Sequence, residues 1–341
     1  MERIRGIDSI RAVCALWVLF SHFGGPPILA GIDKTTRIGW LLNGIYNNFW
    51  NGPAAVIIFF VISGFCIHYP QSDSGKLNSL FGFYLRRFLR ILIPMACAMG
   101  LSFLWGGRLD LLNDSILWSL VCEIIYYFIY PLFLFFVRRG LSWNSVFFGS
   151  FMVSILVAAS KPQSGSYPSY GPLLNWALGL PCWLLGCLVA EWVKKGFPLS
   201  ALAKISIWKM RVGVFVVSIL VSAIRFHTPV GYPWTLNWFG ILSAIWLYLE
   251  IMHFKKHEPN MFLERVGLFS YSIYLIHVPL HELLSKFSIP NLGFLLNWVV
   301  GTMIVLSGCW LFYWLIEKPS HALAKNLGRM AFRKCYLAKD F

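Results

Sequence analysis

Residues 6–22 read GIDSIRAVCALWVLFSH, an apolar run long enough to span a membrane but interrupted by a charge. Arg11 lies inside the run, and His22 closes it about three helical turns later, roughly 16 Å along the axis on the same helix face. Asp8 lies one turn before Arg11 and is placed to pair with it. A charge within a bilayer costs at least ~2.5 kcal/mol, so the segment indicates a membrane helix with a functional arginine. The alternative is that Arg11 reaches the near headgroups and His22 lies in the opposite interface.

The composition excludes a water-soluble domain. The 341 residues are 58% hydrophobic and 13% charged, whereas soluble domains carry roughly 25% charged residues. The net charge of +15 does not indicate nucleic-acid binding, because excess Lys and Arg in a membrane protein mark cytoplasmic loops. The cysteines lack a CxxC pair and lie mostly in or beside apolar stretches, which predicts neither a disulfide framework nor a zinc site. Arg11 interrupts the first apolar run, and no A-x-A-like cleavage site precedes Gly31, so we expect this segment to be retained rather than removed as a signal peptide.

Ten apolar stretches predict an all-α integral membrane protein, since the runs are too long for barrel strands. Most Lys and Arg residues fall on the side of the two termini, which predicts that both termini are cytoplasmic. We expect residues 1–320 to form one ten-helix membrane domain and residues 321–341 a basic cytoplasmic tail against anionic headgroups. The opposite side holds only Lys34, Arg37, Arg108, Lys161, Arg225 and Lys286. The predicted spans are 8–24, 52–69, 91–106, 115–137, 144–159, 172–192, 211–225, 235–253, 266–284 and 293–316.

Polar residues inside the predicted spans are candidates for a site. Glu123 in LWSLVCEIIYYFIYP lies near the middle of the fourth span, where a carboxylate must face a cavity or a partner. Tyr126 and Tyr127 follow one turn later and are placed to line the same cavity. His277 in YSIYLIHVPL lies at a depth comparable to that of His22, although a lone buried histidine is more often structural. Ser63 in FFVISGF lies near the middle of the second span, where small residues commonly allow close helix packing.

A cationic cluster precedes the third predicted span. It consists of Arg86, Arg87 and Arg90 in YLRRFLRILIP. The cluster is either a topology signal or an anion site for a phosphorylated ligand. Glu317 in IEKP ends the tenth span, where it is placed to cap the bundle.

These motifs together resemble the acyltransferase-3 family of membrane acyltransferases, which acylate saccharides and other cell-surface acceptors. The matching pieces are RGIDSIRAVCALWVLFSH with its Arg-x10-His spacing, FFVISGF, RRFLRILIP, LWSLVCEIIYYFIYP, SYSIYLIHVPL and YWLIEKP. They extend in order from residue 5 to about residue 319. The resemblance implies that Arg11 and His22 are essential, that Glu123 belongs to the active site, and that the donor is a cytoplasmic acyl-CoA.

On this basis we expect an O-acyltransferase, most simply an O-acetyltransferase that uses acetyl-CoA. His22 is the predicted base, with Glu123 orienting or polarising it. Direct transfer and an acyl-His22 relay both remain open. Arg11, the arginine cluster and Ser63 are predicted to bind the donor, and His277, Tyr126 and Tyr127 the acceptor.

The expected acceptor is a saccharide or lipid-linked glycan of the cell envelope, such as O-antigen, lipopolysaccharide or exopolysaccharide. Membrane lipids surround the protein, which we place in the inner or plasma membrane. No metal, no tightly bound cofactor and no nucleic-acid partner is expected. The main competing class is a glycan or lipid flippase or a proton-coupled transporter, because intramembrane Arg, His and Glu also suit a proton relay. No inverted repeat is visible, which disfavours a transporter. A third reading, a structural assembly subunit, would not need buried charges.

Overall fold

The computed structural model describes residues 4–72, 77, 79–107, 109, 116–196, 205–287 and 292–337. Five basic residues that contribute to the predicted charge asymmetry, Arg3, Lys76, Arg108, Lys204 and Lys339, lie outside this part of the chain. Helices dominate the described residues. They are α1 (Ile7–Phe23), α2 (Arg37–Phe49), α3 (Gly52–His68), α4 (Leu80–Leu104), α5 (Trp118–Arg138), α6 (Trp143–Ser160), α7 (Asn175–Lys195), α8 (Ile207–His227), α9 (Tyr232–Phe254), α10 (Met261–Gly267), α11 (Ser270–Leu284), α12 (Phe294–Phe312) and α13 (Lys318–Leu337).

Side-chain caps and glycines fix several helix ends. Asn51 accepts a hydrogen bond from the Ala54 N–H at 3.2 Å and begins α3. Ser79 accepts from the Gly82 N–H at 3.0 Å and begins α4. Gly24, at φ 82°, ends α1 immediately after the last helical turn, and this stop leaves His22 close to the helix end.

Each of the ten predicted spans contains a helix, which confirms the all-α membrane fold. Eight helical segments in the described chain are long and apolar enough to cross a membrane, fewer than the predicted ten. The first and ninth predicted spans are shorter helices: α1 has 17 residues and α11 has 15. These two helices carry His22 and His277.

Two boundaries differ from the sequence prediction. The helix expected at 91–106 begins at Leu80, because Ser79 caps it and apolar residues continue between the arginines. Arg86, Arg87 and Arg90 therefore lie within α4 and not before it. The predicted tail 321–341 begins inside α13, which follows α12 through a π-helical turn at Tyr313–Glu317 and packs against α4. Its last residues, 338–341, lie outside the described part.

The centre of the bundle is the packing of α3 against α7. A Cβ on Gly64 of α3 would lie 1.9 Å from the Trp183 carbonyl oxygen, and one on Gly186 of α7 would lie 2.0 Å from that of Val61. The two backbones therefore approach as closely as glycine permits. This confirms the close helix approach predicted from the Ser63–Gly64 step. The helices α1, α5 and α9 pack against this pair. The polar residues of the site come mainly from α1, α4, α5 and α11.

Candidate active site

Two histidines from α1 and α11 form a hydrogen-bonded pair. His22 Nδ1 lies 2.9 Å from His277 Nε2, and the two rings stack with centroids 5.1 Å apart. His277 Nδ1 lies 2.8 Å from the Ile273 carbonyl oxygen and 2.9 Å from that of Tyr274. Because carbonyl oxygens only accept, His277 Nδ1 carries the proton in the neutral pair, and His277 Nε2 accepts from His22 Nδ1. His22 Nε2 therefore keeps its lone pair for another partner.

His22 borders a cavity of about 210 Å³, which we call the histidine cavity. Its wall includes the aromatic rings of Trp118, Tyr167 and Tyr232. Tyr167 donates a hydrogen bond to Asn237 Oδ1 at 3.3 Å, and burial raises the pKa of the Tyr167 hydroxyl well above its usual range. The tyrosine therefore stays neutral, and the described wall of this cavity carries aromatic rings and no carboxylate or guanidinium group.

A second cavity of about 160 Å³ has the opposite character, and we call it the arginine cavity. Its charged lining in the described chain consists of Arg11 from α1, Arg87 and Arg90 from α4, and Glu123 from α5. Guanidinium groups outnumber carboxylates there, so the cavity favours an anion. The fold thus brings together the charge of the first span with two members of the predicted arginine cluster.

Glu123 is held on one side of the arginine cavity by residues of three helices. Its Oε1 accepts a hydrogen bond from Ser63 Oγ at 2.5 Å and another from the Tyr127 hydroxyl. Trp183 Nε1 donates to Ser63 Oγ at 3.2 Å, so Ser63 is fixed as well. This arrangement places Glu123, Ser63 and Tyr127 together. The proximity of Glu123 and Tyr127 was predicted from their helical spacing, whereas the contact with Ser63 was not.

Two of the three arginines, Arg11 and Arg90, have partners outside the cavity. Arg11 pairs with Asp8 at 3.7 Å, which confirms the predicted contact one turn apart. Arg90 Nε donates to His321 Nε2 of α13 at 3.1 Å. Glu317 Oε1 lies 3.7 Å from the same histidine nitrogen, and the glutamate is 1% exposed. Glu317 therefore lies beside the Arg90–His321 contact, in addition to its position at the end of the π-helical turn.

Ser270 adds a polar group that the sequence analysis missed. It lines the arginine cavity, is 0% exposed, and its Oγ has no hydrogen-bond partner among the described residues. A buried hydroxyl without a partner usually indicates a ligand or a water at that position. Tyr271 and Tyr274 also line this cavity.

The structure separates Glu123 from His22, contrary to the prediction that the carboxylate orients the base. His277 occupies His22 Nδ1, and Glu123 lies in the other cavity with Ser63 and Tyr127. The predicted pairing of Glu123 with His22 came from the role of a third group in a catalytic triad, and the sequence contains no information on which helices are neighbours. His277 is the group in position to orient His22.

Three other predicted contacts are also corrected. His277 is 1% exposed with both ring nitrogens occupied, so it is not open to an acceptor. Tyr126 is 0% exposed and donates to the Trp176 carbonyl oxygen at 2.8 Å, which places it in the packing between α5 and α7. Arg86 donates to the Gly82 carbonyl oxygen at 3.0 Å and lies against Gly328 of α13, away from the other two arginines.

A comparison with known families defines the class of protein. Residues 4–314 match the family model described as an acyltransferase domain, so the chain belongs to the acyltransferase-3 family. The protein is therefore a membrane acyltransferase, as its motifs predicted.

A curated relative points in the same direction. The chain is 25% identical to "Acyltransferase MdmB" of Streptomyces mycarofaciens over an alignment of 378 positions, which covers 96% of this chain and 93% of the relative. No solved structure shows a significant match to the chain.

Proposed function

We propose that this protein transfers an acyl group, acetyl in the simplest case, from acyl-CoA to a hydroxyl of a cell-surface or lipid-linked saccharide such as O-antigen or exopolysaccharide. The observation that carries the proposal is the pair of chemically different cavities. One has a histidine nitrogen with a free lone pair, and the other has three arginines. Acyl transfer from a polyanionic thioester to a neutral alcohol needs both.

The arginine cavity is the proposed donor site. CoA carries phosphate groups, and guanidinium groups bind phosphate through a planar fork of donors. Arg11, Arg87 and Arg90 come from two helices and surround one space, as a phosphate site requires. The unpartnered Ser270 Oγ supplies a further hydrogen bond to the donor. The excess of basic residues near the termini supports a cytoplasmic entrance for the donor.

His22 is the proposed general base. Its Nε2 takes the proton of the acceptor hydroxyl as the alcohol oxygen attacks the thioester carbonyl carbon. The carbon–sulfur bond breaks, and the leaving thiolate takes the proton from the imidazolium. His277 accepts a hydrogen bond from His22 Nδ1 throughout, which holds the reactive tautomer and stabilises the transient positive charge.

Glu123 has a role at the donor in this scheme. Its Oε1 fixes the hydroxyls of Ser63 and Tyr127, so its position in the cavity is set before any ligand binds. A carboxylate among arginines provides an acceptor for the amide N–H groups of the donor arm. Glu123 therefore positions the donor, whereas His277 positions the base.

The histidine cavity is the proposed acceptor site. Aromatic rings at Trp118, Tyr167 and Tyr232 offer apolar faces to a ring-shaped ligand with hydroxyl groups at its edge. The uncharged character of the described wall suits a neutral sugar better than an ionic substrate. This supports a saccharide acceptor.

Acetylation by the purified protein tests the proposal. Detergent-solubilised protein is mixed with acetyl-CoA and a saccharide fraction of the cell envelope, and CoA release is followed as free thiol. Mass spectrometry of the saccharides should show a gain of one acetyl unit, and envelope glycans of cells that lack the gene should lack that unit. The His22→Ala variant, with folding confirmed, serves as the control.

Two results would contradict the proposal. One is an equal rate of CoA release by the wild type and by His22→Ala, which would show that this release does not depend on His22. The other is an unchanged saccharide mass together with passage of a glycan or lipid across vesicles, which would favour a transporter.

A further inference from the structure

The two cavities share two lining residues. Val56 of α3 and Tyr274 of α11 border both the arginine cavity and the histidine cavity, and each is 6% exposed. The shared side chains therefore form the boundary between the spaces. Arg11 and His22 lie roughly 16 Å apart along α1, so a donor held by the arginines must extend past this boundary to reach the base.

Tyr274 is the fixed half of the boundary. Its hydroxyl donates to the Ile116 carbonyl oxygen at 2.8 Å, and Ser119 Oγ lies 2.5 Å from the same hydroxyl. Since the phenol proton goes to the carbonyl, Ser119 is the donor in the second contact. The Tyr274 backbone carbonyl also accepts from His277, so the tyrosine is tied to the histidine pair.

Val56 is the half that determines the width. It has no polar atom, and it lies one turn after Gly52, which also borders the histidine cavity. A branched side chain at this position projects methyl groups into the boundary, where their removal or addition changes the open space without breaking a hydrogen bond. The width available to a passing group thus depends on Val56 more than on Tyr274.

We propose that Val56 and Tyr274 form a constriction through which the acyl end of the donor reaches His22, and that Val56 selects the acyl group by its width. The inference rests on the proposed donor and acceptor cavities. A straight acyl group has the cross-section of the donor arm that follows it, whereas a group branched next to the carbonyl is wider. Acetyl should pass the constriction, and isobutyryl should be rejected.

Substitutions that change the size of residue 56 test this selection. The kcat/KM values for isobutyryl-CoA and acetyl-CoA are measured with the wild type, Val56→Ala and Val56→Ile, together with CoA affinity. One methylene in an apolar site typically changes discrimination by roughly tenfold or more. Val56→Ala should therefore raise the isobutyryl-to-acetyl ratio at least about tenfold, and Val56→Ile should lower it.

Val61→Ala is the matched control, because Val61 lies on the same helix, is 0% exposed and borders neither cavity. Its acyl preference should equal that of the wild type. The proposal that Val56 selects the acyl group would be overturned by an isobutyryl-to-acetyl ratio that stays constant in Val56→Ala and Val56→Ile. A ratio that changes equally in Val61→Ala would overturn it as well. A wild type that transfers no acyl group from any acyl-CoA would instead overturn the proposed function, so the two failures are distinct.

Discussion

In the proposed reaction, the position of one ring proton on His22 decides which nitrogen acts on the acceptor. The backbone carbonyls of Ile273 and Tyr274 fix the His277 tautomer, and His277 in turn fixes the tautomer of His22. The chain of hydrogen bonds runs from a helix backbone to the reactive nitrogen without using a carboxylate. Removing either histidine should therefore have different consequences.

We expect His22→Ala to reduce kcat by ~10²–10⁴-fold, the usual loss when a general base is removed, with CoA affinity nearly unchanged. His22→Gln should not restore turnover, because an amide does not accept the proton. Acyl transfer and CoA binding on purified variants provide the measurement. Normal turnover in His22→Ala would remove the histidine from the reaction.

The His277 variants separate positioning from proton transfer. His277→Gln keeps an acceptor for His22 Nδ1 and should retain much of the turnover, whereas His277→Leu should lower kcat roughly tenfold by leaving that donor unpaired. Equal activity of the two variants would show that the hydrogen bond has no role in orienting the base.

Arg11 and Arg86 offer a matched comparison at the donor site, because only Arg11 lines the arginine cavity. Arg11→Lys keeps the charge but loses the forked geometry, so the KM for acyl-CoA should rise roughly tenfold to a hundredfold while excess donor restores the rate. Arg86→Lys should leave KM unchanged. A loss of donor affinity in Arg86→Lys equal to that in Arg11→Lys would contradict the assignment of the donor cavity.

Local pairs at the residue scale were predictable and distant pairs were not. The Asp8–Arg11 contact and the Glu123–Tyr127 contact follow from helical spacing, which is a property of the sequence alone. The Glu123–Ser63 contact joins α5 to α3, and its partner choice depends on which helices pack together. The comparable depth of His22 and His277 suggested a shared polar site, and the two rings do meet. The pairing of His22 with Glu123, predicted from the logic of a catalytic triad, was incorrect.

At the scale of elements, the α3–α7 contact depends on the absence of side chains at two glycines. Gly64→Ala places a methyl group against the backbone oxygen of Trp183, which side-chain rotation cannot relieve. Overpacking of this kind typically costs about 1–3 kcal/mol.

Gly64→Ala should therefore lower the stability of the protein in detergent, whereas Gly149→Ala should not. Gly149 lies in α6, and no atom lies within 4 Å of the point that an alanine methyl group would occupy, so alanine there should be neutral or stabilise the helix by about 0.5–1 kcal/mol. Thermal unfolding monitored by size-exclusion chromatography gives the comparison. Equal stability of both variants would show that α3 and α7 can separate without cost.

In the described chain, the α13 helix contacts the proposed donor site through the hydrogen bond between Arg90 and His321. His321 accepts from Arg90 at 3.1 Å, and Arg90 lines the arginine cavity. His321→Leu should raise the KM for acyl-CoA up to roughly tenfold with little change in kcat, because it frees the arginine rather than the base. His321→Gln keeps an acceptor and should restore the wild-type KM. A wild-type KM in His321→Leu, or a KM in His321→Gln as high as that in His321→Leu, would show that α13 packs against α4 without affecting donor binding.

At the scale of the whole molecule, apolar length identified every main helix, while polar or amphipathic helices escaped. The helices α2, α10 and α13 were not predicted, since α2 and α13 mix apolar and polar residues and α10 spans only Met261–Gly267. The linings of the two cavities could not be predicted from the sequence either, because each cavity is lined by several helices that are distant along the chain. The charge distribution predicts that the arginine cavity lies toward the cytoplasm and the histidine cavity toward the opposite face.

Transfer across a sealed membrane tests this two-sided arrangement most directly. Inverted membrane vesicles, with the cytoplasmic face outward and acceptor saccharide enclosed, receive acetyl-CoA only in the external solution. We predict that the enclosed saccharide gains acetyl groups and that free CoA appears outside, with wild-type protein but not with His22→Ala. Acetylation that occurs only when acetyl-CoA is enclosed together with the acceptor would contradict the account.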